Sequence, residues 1–333
     1  MEKYGVLPLR DIQSISESFA SEFQELESVN FVIVGASGFL GRWISTSLAY
    51  MQAQDLFRGR LYLLVRDKVK ISEFDSLSTL PNRTIVPIGS MDETSFSHLG
   101  GTRTVVIYAA SSTSNAGKPL EINPQSYLEL PRSVIKFLPK HEVIFVHLSS
   151  GAVYTQSSRS QAGIPRSEKV QYTSSDCYTA EKLILEQWLH SKVCEPLMRV
   201  RNPRLFTFYG QGLQLDRHFV IGEFMRNAIR KMPIVIKGNP NNLRTYLHPA
   251  DAVHQIFSNC ISIPPVNSQI GSKNVISIET LAHVIAREFG VNVNVSDVYS
   301  NKVDNYVPLD VPEFPEKDFE TGISEWRQWL EIA

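Results

Sequence analysis

A tyrosine and a lysine four residues apart, Tyr178 and Lys182, form the most chemically suggestive pair in the sequence. On a helix, residues at this spacing lie on one face, so the phenol and the ammonium group can reach the same site. A nearby cation favours phenolate, so Tyr178 can act as a base well below the ordinary phenol pKa of about 10. Ser150, after an apolar run, can orient a reacting alcohol beside them. The pattern predicts proton transfer at an alcohol; the alternative is a core tyrosine and a solvated lysine.

A glycine-rich segment supplies the second motif. Residues 35–41 read Gly-Ala-Ser-Gly-Phe-Leu-Gly, between an apolar run at 31–34 and a helix-like stretch at 42–52. A strand that turns through glycines into a helix presents unpaired N–H groups at the positive end of that helix, where phosphate binds. This context predicts a dinucleotide site, whereas an ordinary tight turn is the alternative. The predicted cofactor-binding residues of the segment are Gly35, Ser37, Gly38, Phe39, Leu40 and Gly41.

Together the motifs resemble those of the extended short-chain dehydrogenases/reductases, a family of nucleotide-sugar epimerases, dehydratases, decarboxylases and ketoreductases. The similarity covers roughly residues 30–289. The motifs that carry it are GASGFLG, SSGAVY, YTAEK, the pair Ala109-Ala110 after an apolar run, and a late segment with Gly238, RTYL and Asp251.

The resemblance implies a division of roles at the site. Tyr178 would be the acid or base on the substrate hydroxyl, and Ser150 would hydrogen-bond the reacting oxygen. Lys182 would lower the pKa of Tyr178 and bind the nicotinamide ribose. Ala109 and Ala110 would line the cofactor, together with Tyr178 and Lys182.

The predicted cofactor is NADP, with NAD as the alternative. The second apolar run, 61–65, ends in Arg66, with Asp67 one residue on. Enzymes that use NAD usually place an acid here to bind the ribose 2′-OH, whereas an arginine accommodates the 2′-phosphate of NADP. If Arg66 and Asp67 instead form an exposed pair, the protein uses NAD.

The resemblance implies a nucleotide-linked sugar as substrate and 4-keto reduction or epimerisation as the reaction. Gly151 and Ala152 stand where the family's dehydratases carry an acidic pair, and the glutamate of the decarboxylases is also missing. Arg244 would bind the nucleotide diphosphate with its planar fork, unless it is a structural surface arginine. The other predicted substrate-binding residues are Ser150, Thr207, which replaces a family asparagine, and His218 and Phe219, for which plain packing is equally open.

Two further interpretations stay open. Within the family, a small non-sugar carbonyl is a possible substrate. Outside enzymes, the chain could be a non-catalytic dinucleotide-binding sensor or assembly protein. The joint presence of Ser150, Tyr178 and Lys182 argues against that second interpretation, because a pure binder does not need all three.

Composition limits the partners. The chain has 333 residues, is 43% hydrophobic and carries a formal net charge of -1, which suits a globular core and argues against nucleic-acid binding. Its three cysteines are scattered, and His248 has no partner at metal-ligand spacing, so we predict neither a disulfide framework nor a metal site. Without a membrane-length apolar run or a secretory signal, a cytoplasmic location with no membrane partner is expected.

The pattern of apolar runs separated by helix-like stretches predicts an α/β fold. Residues 30–203 would form a Rossmann-like, doubly wound parallel sheet, with ligands beyond the carboxyl ends of its strands. The predicted strands are 31–34, 61–65, 85–87, 104–108, 143–148 and 197–200.

Two regions flank the predicted sheet. Residues 1–29 form an N-terminal helical extension, whose apolar face is Ile12, Ile15, Phe19, Phe23 and Leu26. Residues 204–333, broken by prolines and glycines, would form mainly a smaller substrate-binding lobe that can interleave with the sheet. Within that lobe, helices are predicted at 280–289 and around 325–330, and Asp251 is predicted to cap a helix that starts at Ala252.

The helix that carries Tyr178 and Lys182 also predicts a homodimer. In the resembling family, two helices of each subunit often pair into a four-helix bundle. The apolar residues available for it are Leu183, Ile184, Trp188 and Leu189 on this helix and Val134, Ile135, Phe137 and Leu138 on its mate, which Pro131 would shorten or tilt. The alternative is that these side chains all serve the core of one subunit.

Overall fold

The computed structural model describes residues 7–20, 29–56, 58–66, 82–101, 103–111, 124–170, 176–192, 196–215, 219–261, 265–296 and 302–332. Four residues singled out from the sequence, Phe23, Leu26, Asp67 and His218, lie outside these ranges.

The centre of the protein is a parallel sheet of six strands. The described strands are β1 (Asn30–Val34), β2 (Leu61–Val65), β3 (Arg83–Pro87), β4 (Arg103–Tyr108), β5 (Glu142–His147), β6 (Ser149–Ser150), β7 (Met198–Arg201), β8 (Arg204–Leu205), β9 (Ile234–Ile236), β10 (Leu243–Thr245), β11 (Gln269–Ile270), β12 (Val275–Ser277) and β13 (Val293–Val295). The central order is β3-β2-β1-β4-β5-β7, so the winding reverses between β1 and β4. This order confirms the predicted doubly wound fold, and ligands of such sheets bind at the point of reversal.

Helices cover both faces of this sheet. The described α-helices are α1 (Leu9–Ser18), α2 (Phe39–Ala53), α3 (Glu129–Phe137), α4 (Cys177–His190), α5 (Val220–Ile229), α6 (Pro249–Ile261), α7 (Ile278–Phe289) and α8 (Phe319–Ile332). Helices α1, α2 and α6 share one core with the sheet, and α3 and α4 share the other. Because both faces are covered, the strands are continuous apolar runs such as the fully buried β1 and β2.

The N-terminal helix α1 packs on the body of its own chain. Ile12 and Ile15 are each only 2% exposed and lie in the core shared with α2 and α6. An ion pair of 2.7 Å joins Asp11 of this helix to Lys317, which precedes α8. The beginning and the end of the described chain are therefore held together.

A smaller lobe has its own core, built by α5, α7, α8 and β9. Strands β10 and β12 pair antiparallel, and β9 and β13 pair parallel. Helix α7 begins at Ile278, slightly before the predicted start at 280, because the Ser277 hydroxyl caps it by accepting a hydrogen bond of 3.0 Å from the Thr280 amide. Helix α8, at 14 residues, is longer than the predicted terminal helix. Strands β11, β8 and β6 form a separate three-stranded parallel sheet.

The prediction that Asp251 caps a helix is wrong. Helix α6 begins at Pro249, which places Asp251 inside the first turn. Its carboxylate instead accepts a hydrogen bond of 2.9 Å from the amide of Lys317. Over the described ranges, every helix is too short or too polar to cross a membrane.

Candidate active site

The glycine loop forms the turn between β1 and α2. Gly35 has φ of +85°, a conformation that is strained for residues with a side chain. A Cβ at Gly35 would lie 2.8 Å from the amide nitrogen of Ala110, and one at Gly41 would collide with the Gly35 carbonyl. The two glycines therefore allow the loop to lie against Ala109 and Ala110, at the end of β4, and the helix to start close to the strand.

The start of α2 suits an anionic group. Gly38 is the N-cap and has no side chain to occupy the first-turn amides of Phe39, Leu40 and Gly41. The helix dipole adds positive potential at the same point. The side chains of Phe39 and Leu40 pack on the core, so these residues contribute to the site through their backbones. Ser37 is half-buried in the turn just before them. The free first-turn amides of α2 therefore fit the pyrophosphate of a dinucleotide.

Arg66 lies exposed directly after β2. Strands β1 and β2 are parallel neighbours, with Val34 beside Leu64, so Arg66 and the glycine loop share the carboxyl edge of the sheet. The predicted alternative partner, Asp67, lies outside the described residues.

The structure brings Ser150, Tyr178 and Lys182 together. The Asp176 carboxylate caps α4 by accepting from the Thr179 amide at 2.9 Å, which sets Tyr178 and Lys182 in the first two turns. Ser150 comes from β6, and its side chain lies close enough to the Tyr178 phenol to act on the pKa of that phenol. The Lys182 ammonium donates to the Leu148 carbonyl at 2.8 Å and lies 5.8 Å from the centre of the Tyr178 ring.

The sequence predicts that Lys182 lowers the pKa of Tyr178, but the structure does not show this effect. Burial raises the pKa of Tyr178 above its usual value and outweighs the effect of Ser150, which lowers it. Lys182 is itself buried, which lowers the pKa of its ammonium group, and it is anchored on the Leu148 carbonyl. In this structure Tyr178 therefore holds its proton at neutral pH.

A buried ion pair links the helix of Tyr178 to the strands next to Ser150. Both nitrogens of the Arg204 fork bind the Glu186 carboxylate, at 3.1 and 2.8 Å, and the Ser149 hydroxyl donates to the same carboxylate at 2.5 Å. Glu186 thus joins α4 to the start of β6, next to Ser150. Glu186 was not predicted from the sequence, although it lies four residues after Lys182 and so on the same helix face.

The predicted diphosphate ligand, Arg244, is held by Asp304. Its guanidinium lies 2.9 Å from the Asp304 carboxylate and also donates to the Asp304 backbone carbonyl. A second arginine, Arg159, lies 3.5 Å from the same carboxylate. Burial acts to raise the pKa of Asp304, but the two guanidinium groups hold it below its usual value. Arg159 and Asp304 could not be predicted from the sequence, because both lie outside every motif.

Arg244 also lines an open cleft of about 230 Å³ in the smaller lobe. Other residues that line the cleft are Val220, Phe224, Lys237, Asn239 and Asn242, whose side chains are either apolar or able to form hydrogen bonds. Phe219 precedes Val220 at the N-cap of α5 and is 37% exposed, so it lies beside the described cleft lining and not within it.

The Thr207 side chain forms a hydrogen bond with the backbone. Its hydroxyl donates to the Thr245 carbonyl, which joins the end of β8 to β10. The hydroxyl proton is therefore used within the protein, and only the oxygen remains as an acceptor.

The sequence and the fold are similar to known proteins. The sequence profile described as the NAD dependent epimerase/dehydratase family matches residues 31–258. No curated protein sequence gives a significant match.

Solved structures share the fold. A UDP-glucuronic acid 4-epimerase from Bacillus cereus, in complex with UDP-glucuronic acid and NAD, has a TM-score of 0.71 at 14% identity, covering 91% of this chain and 100% of that chain. Epimerase Mth375 from Methanothermobacter thermautotrophicus has a TM-score of 0.74 at 16% identity, covering 94% of this chain and 95% of that chain. A UDP-N-acetylglucosamine 4-epimerase from Methanobrevibacter ruminantium M1, in complex with UDP-N-acetylmuramic acid, has a TM-score of 0.73 at 18% identity, with 92% and 99% covered.

Proposed function

The chain belongs to the NAD dependent epimerase/dehydratase family, and on that premise we propose that it is an oxidoreductase of a nucleotide-linked sugar, acting by 4-keto reduction or epimerisation. The observation that carries the proposal is the meeting of Ser150, Tyr178 and Lys182 at one site, with the Lys182 ammonium 5.8 Å from the centre of the Tyr178 ring. This constellation lies at the carboxyl edge of the sheet, the same edge as the glycine loop. A proton-transferring phenol beside a dinucleotide site is what sugar oxidoreduction requires.

The cofactor of this proposal is a nicotinamide dinucleotide, which supplies a hydride acceptor or donor when bound. The first-turn amides of α2 hold its pyrophosphate, and Gly35 and Ala110 keep the loop close to the sheet. Arg66 favours NADP, because it lies exposed where a ribose 2′-phosphate needs a cation. NAD, which accompanies the Bacillus cereus epimerase, is the alternative.

The proton is handled by side chains of this chain. Tyr178 exchanges a proton with the sugar hydroxyl at its phenolic oxygen, and Ser150 orients the same oxygen. Lys182, fixed on the Leu148 carbonyl, keeps a positive charge beside the phenol and reaches the nicotinamide ribose. The glycine and alanine that follow Ser150 supply no extra acid, which fits reduction or epimerisation better than loss of water.

The nucleotide portion of the substrate is proposed to bind at the cleft of the smaller lobe. Arg244 borders the cleft and offers a guanidinium to the diphosphate, and Arg159 offers a second one nearby. Thr207, His218 and Phe219 remain predicted contacts. The Bacillus cereus and Methanobrevibacter epimerases were solved with UDP-sugars, which makes UDP-sugars the first substrates to try.

The proposal is tested by asking what binds and what turns over. The purified protein is denatured, and released ligands are identified by mass spectrometry. The protein is then incubated with NAD or NADP and each of UDP-glucose, UDP-glucuronic acid and UDP-N-acetylglucosamine, and reduced cofactor and sugar products are measured. We expect a dinucleotide and at least one epimerised or oxidised sugar. If no dinucleotide binds and all three sugars stay unchanged, the proposal is rejected.

A further inference from the structure

One carboxylate, that of Asp304, joins two arginines next to the cleft of the smaller lobe. Its Oδ2 lies 2.9 Å from Nη2 of Arg244, and its Oδ1 lies 3.5 Å from Nη1 of Arg159. The side-chain amide of Gln156 donates to the same Oδ1 at 3.1 Å. Asp304 and Arg244 both line the cleft. Two positive charges and one negative charge therefore meet at this edge of the cleft.

The contacts with the protein use only part of the Arg244 guanidinium. Nη1 donates to the Asp304 backbone carbonyl and, at 2.9 Å, to the Leu243 carbonyl, while Nη2 donates to the Asp304 carboxylate at 2.9 Å. A guanidinium has five N–H donors in one plane. Within the described ranges, the N–H of Nε and the second N–H of Nη2 have no protein acceptor. These two N–H bonds form the other edge of the plane, which matches two phosphate oxygens.

The backbone of Asp304 is fixed beside β10, the strand of Arg244. The Asp304 amide donates to Oδ1 of Asn242 at 2.9 Å. The side chain of the next residue, Asn305, accepts from the Leu243 amide at 2.8 Å. The same segment also forms a parallel β-bridge with Arg244. The backbone on both sides of the ion pair between Asp304 and Arg244 is therefore held in place.

Arg159 is attached to the same segment. Its backbone carbonyl accepts from the Asn305 amide at 2.7 Å, and its guanidinium lies 4.8 Å from the centre of the Tyr306 ring. Like charges at close range repel each other, and an opposite charge between them offsets that repulsion. Asp304 therefore allows the guanidinium groups of Arg159 and Arg244 to stay near each other.

The Asp304 carboxylate has two opposite effects on an anion in the cleft. Its charge repels the anion, but its hydrogen bonds order the arginine that would bind the anion. A long side chain loses considerable freedom when it becomes ordered, and a ligand that meets an ordered arginine does not bear that cost. Because Asp304 holds Arg244 by its backbone carbonyl and its carboxylate together, we expect the ordering effect to be the larger one.

We propose that Asp304 is a positioning residue for the diphosphate of the substrate, which holds one edge of the Arg244 guanidinium, directs the other edge into the cleft and keeps Arg159 beside it. The inference rests on the proposed function, because it concerns the same nucleotide-linked substrate. It predicts that removing a negative charge next to the site weakens the binding of an anion. A carboxylate that acted by its charge alone would have the opposite effect.

The first test compares UDP with uridine, which lacks the diphosphate. The protein is saturated with NAD or NADP, whichever it binds, so that UDP does not enter the dinucleotide site, and binding is measured by calorimetric titration. Asp304→Ala is expected to weaken UDP binding about tenfold, because UDP must then order Arg244 itself, and to change uridine binding less than about twofold. Unchanged or tighter UDP binding, or an equal loss for uridine, overturns the proposal.

Asp304→Asn is a milder variant that decides the question if Asp304→Ala does not fold. It keeps the backbone carbonyl and the size of the side chain, but it offers one acceptor oxygen to two arginines. We expect a loss in UDP affinity of about threefold, again without a matching loss for uridine. Tighter binding of UDP to Asp304→Asn contradicts the proposal.

A double-mutant cycle shows whether Asp304 acts through Arg244. In the Arg244→Ala background no guanidinium remains at this position, so the carboxylate can only repel the anion there. Asp304→Ala is therefore expected to leave UDP binding to Arg244→Ala unchanged or to strengthen it. A loss of about tenfold in both backgrounds would show that Asp304 does not act through Arg244 and would overturn the proposal.

Glu223→Gln is the matched control. Glu223 lines the same cleft and pairs at 2.5 Å with Lys237, whose side chain is 69% exposed. An exposed pair of this kind does little to order a lysine, so this carboxylate acts on an anion mainly by its charge. UDP binding is expected to stay constant or to become at most about threefold tighter in Glu223→Gln. If Glu223→Gln weakens UDP binding as much as Asp304→Ala does, the proposal is wrong.

The outcomes separate this inference from the proposed function. If UDP binding responds to the variants as expected but no UDP-sugar is converted, the role of Asp304 stands and only the proposed function is rejected. If a UDP-sugar is converted but the Asp304 variants bind UDP as well as the unaltered protein does, only the role of Asp304 is rejected. Absence of UDP binding to the unaltered protein also overturns the inference.

Discussion

The Arg204 guanidinium and the Glu186 carboxylate form a two-point ion pair, with side chains only 5% and 9% exposed, directly behind the reaction site. The pair joins α4, the helix of Tyr178, to β8, the strand that pairs with the strand of Ser150. It couples the stability of the fold to the geometry of the site, because breaking it would leave a buried charge without a partner.

We therefore expect Glu186→Gln to destabilise the protein strongly. The substitution keeps the shape and leaves the buried Arg204 charge uncompensated, at a cost of about 3 kcal/mol or more in the free energy of unfolding. Urea unfolding at neutral pH measures the loss. Glu142→Gln is the control, since its pairs with Arg103 and Arg199 are partly exposed and are worth about 1 kcal/mol or less each. Equal losses in the two variants would show that burial of the Glu186 pair has no special weight.

The exposed position of Arg66 leads to a prediction about cofactor choice. Arg66→Ala is expected to weaken NADPH binding by about 1.5–3 kcal/mol, the range for hydrogen bonds to charged groups. NADH binding is expected to change little, because NADH has no 2′-phosphate. Calorimetric titration with both cofactors measures the difference. Arg230→Ala, an exposed arginine at the end of α5, is the control. The same change for both cofactors, or none for either, removes the argument for NADP.

Asp251 gives a prediction about pH and stability. Burial raises the pKa of Asp251 from 3.8 to about 6 in the folded protein. Between these values the folded state binds more protons than the unfolded state, so the Asp251 contribution to stability falls as pH rises through this window. Asp251→Asn removes the ionisation, and its side-chain oxygen can still accept from Lys317.

We expect the free energy of unfolding of Asp251→Asn, relative to that of the unaltered protein, to increase with pH. From about pH 4 to pH 7, the free energy of unfolding of Asp251→Asn relative to the unaltered protein should rise by about 2–3 kcal/mol. Urea unfolding at several pH values measures it, with Glu17→Gln, an exposed carboxylate on α1, as the control. A difference that stays constant with pH would mean that Asp251 ionises normally.

The predicted homodimer has a specific surface to test. On α4, Leu183 and Leu189 are buried within the chain, whereas Ile184 and Trp188 are only partly covered. Arg132 of α3 lies 6.0 Å above the Trp188 ring, next to the same surface. We expect light scattering to give twice the chain mass of 37.6 kDa, and Ile184→Glu to give the single mass. A single mass for the unaltered protein at micromolar concentration contradicts the prediction, and the apolar residues of α3 and α4 then serve one chain only.

The sequence predicted the central sheet well because most of its strands, such as β1, β2, β4 and β5, contain short apolar runs that are buried. It also predicted the meeting of Tyr178 and Lys182, since their spacing alone puts them on one helix face. It could not predict that Lys182 is anchored on the carbonyl of Leu148, because a backbone acceptor leaves no mark in the residue types. Nor could it predict that the Tyr306 hydroxyl lies beside Gly151, because Tyr306 belongs to a distant segment without a motif.

The rate of sugar conversion by Tyr178→Phe tests the central claim most directly. The substitution removes the proton-transferring hydroxyl and little volume, while the glycine loop that is proposed to hold the cofactor is unchanged. With the UDP-sugar that the unaltered protein converts, we expect the rate of product formation to fall by about 10²–10⁴-fold while dinucleotide affinity stays the same. Undiminished turnover by Tyr178→Phe on that sugar would contradict the assignment of Tyr178 as the acid and base of the reaction.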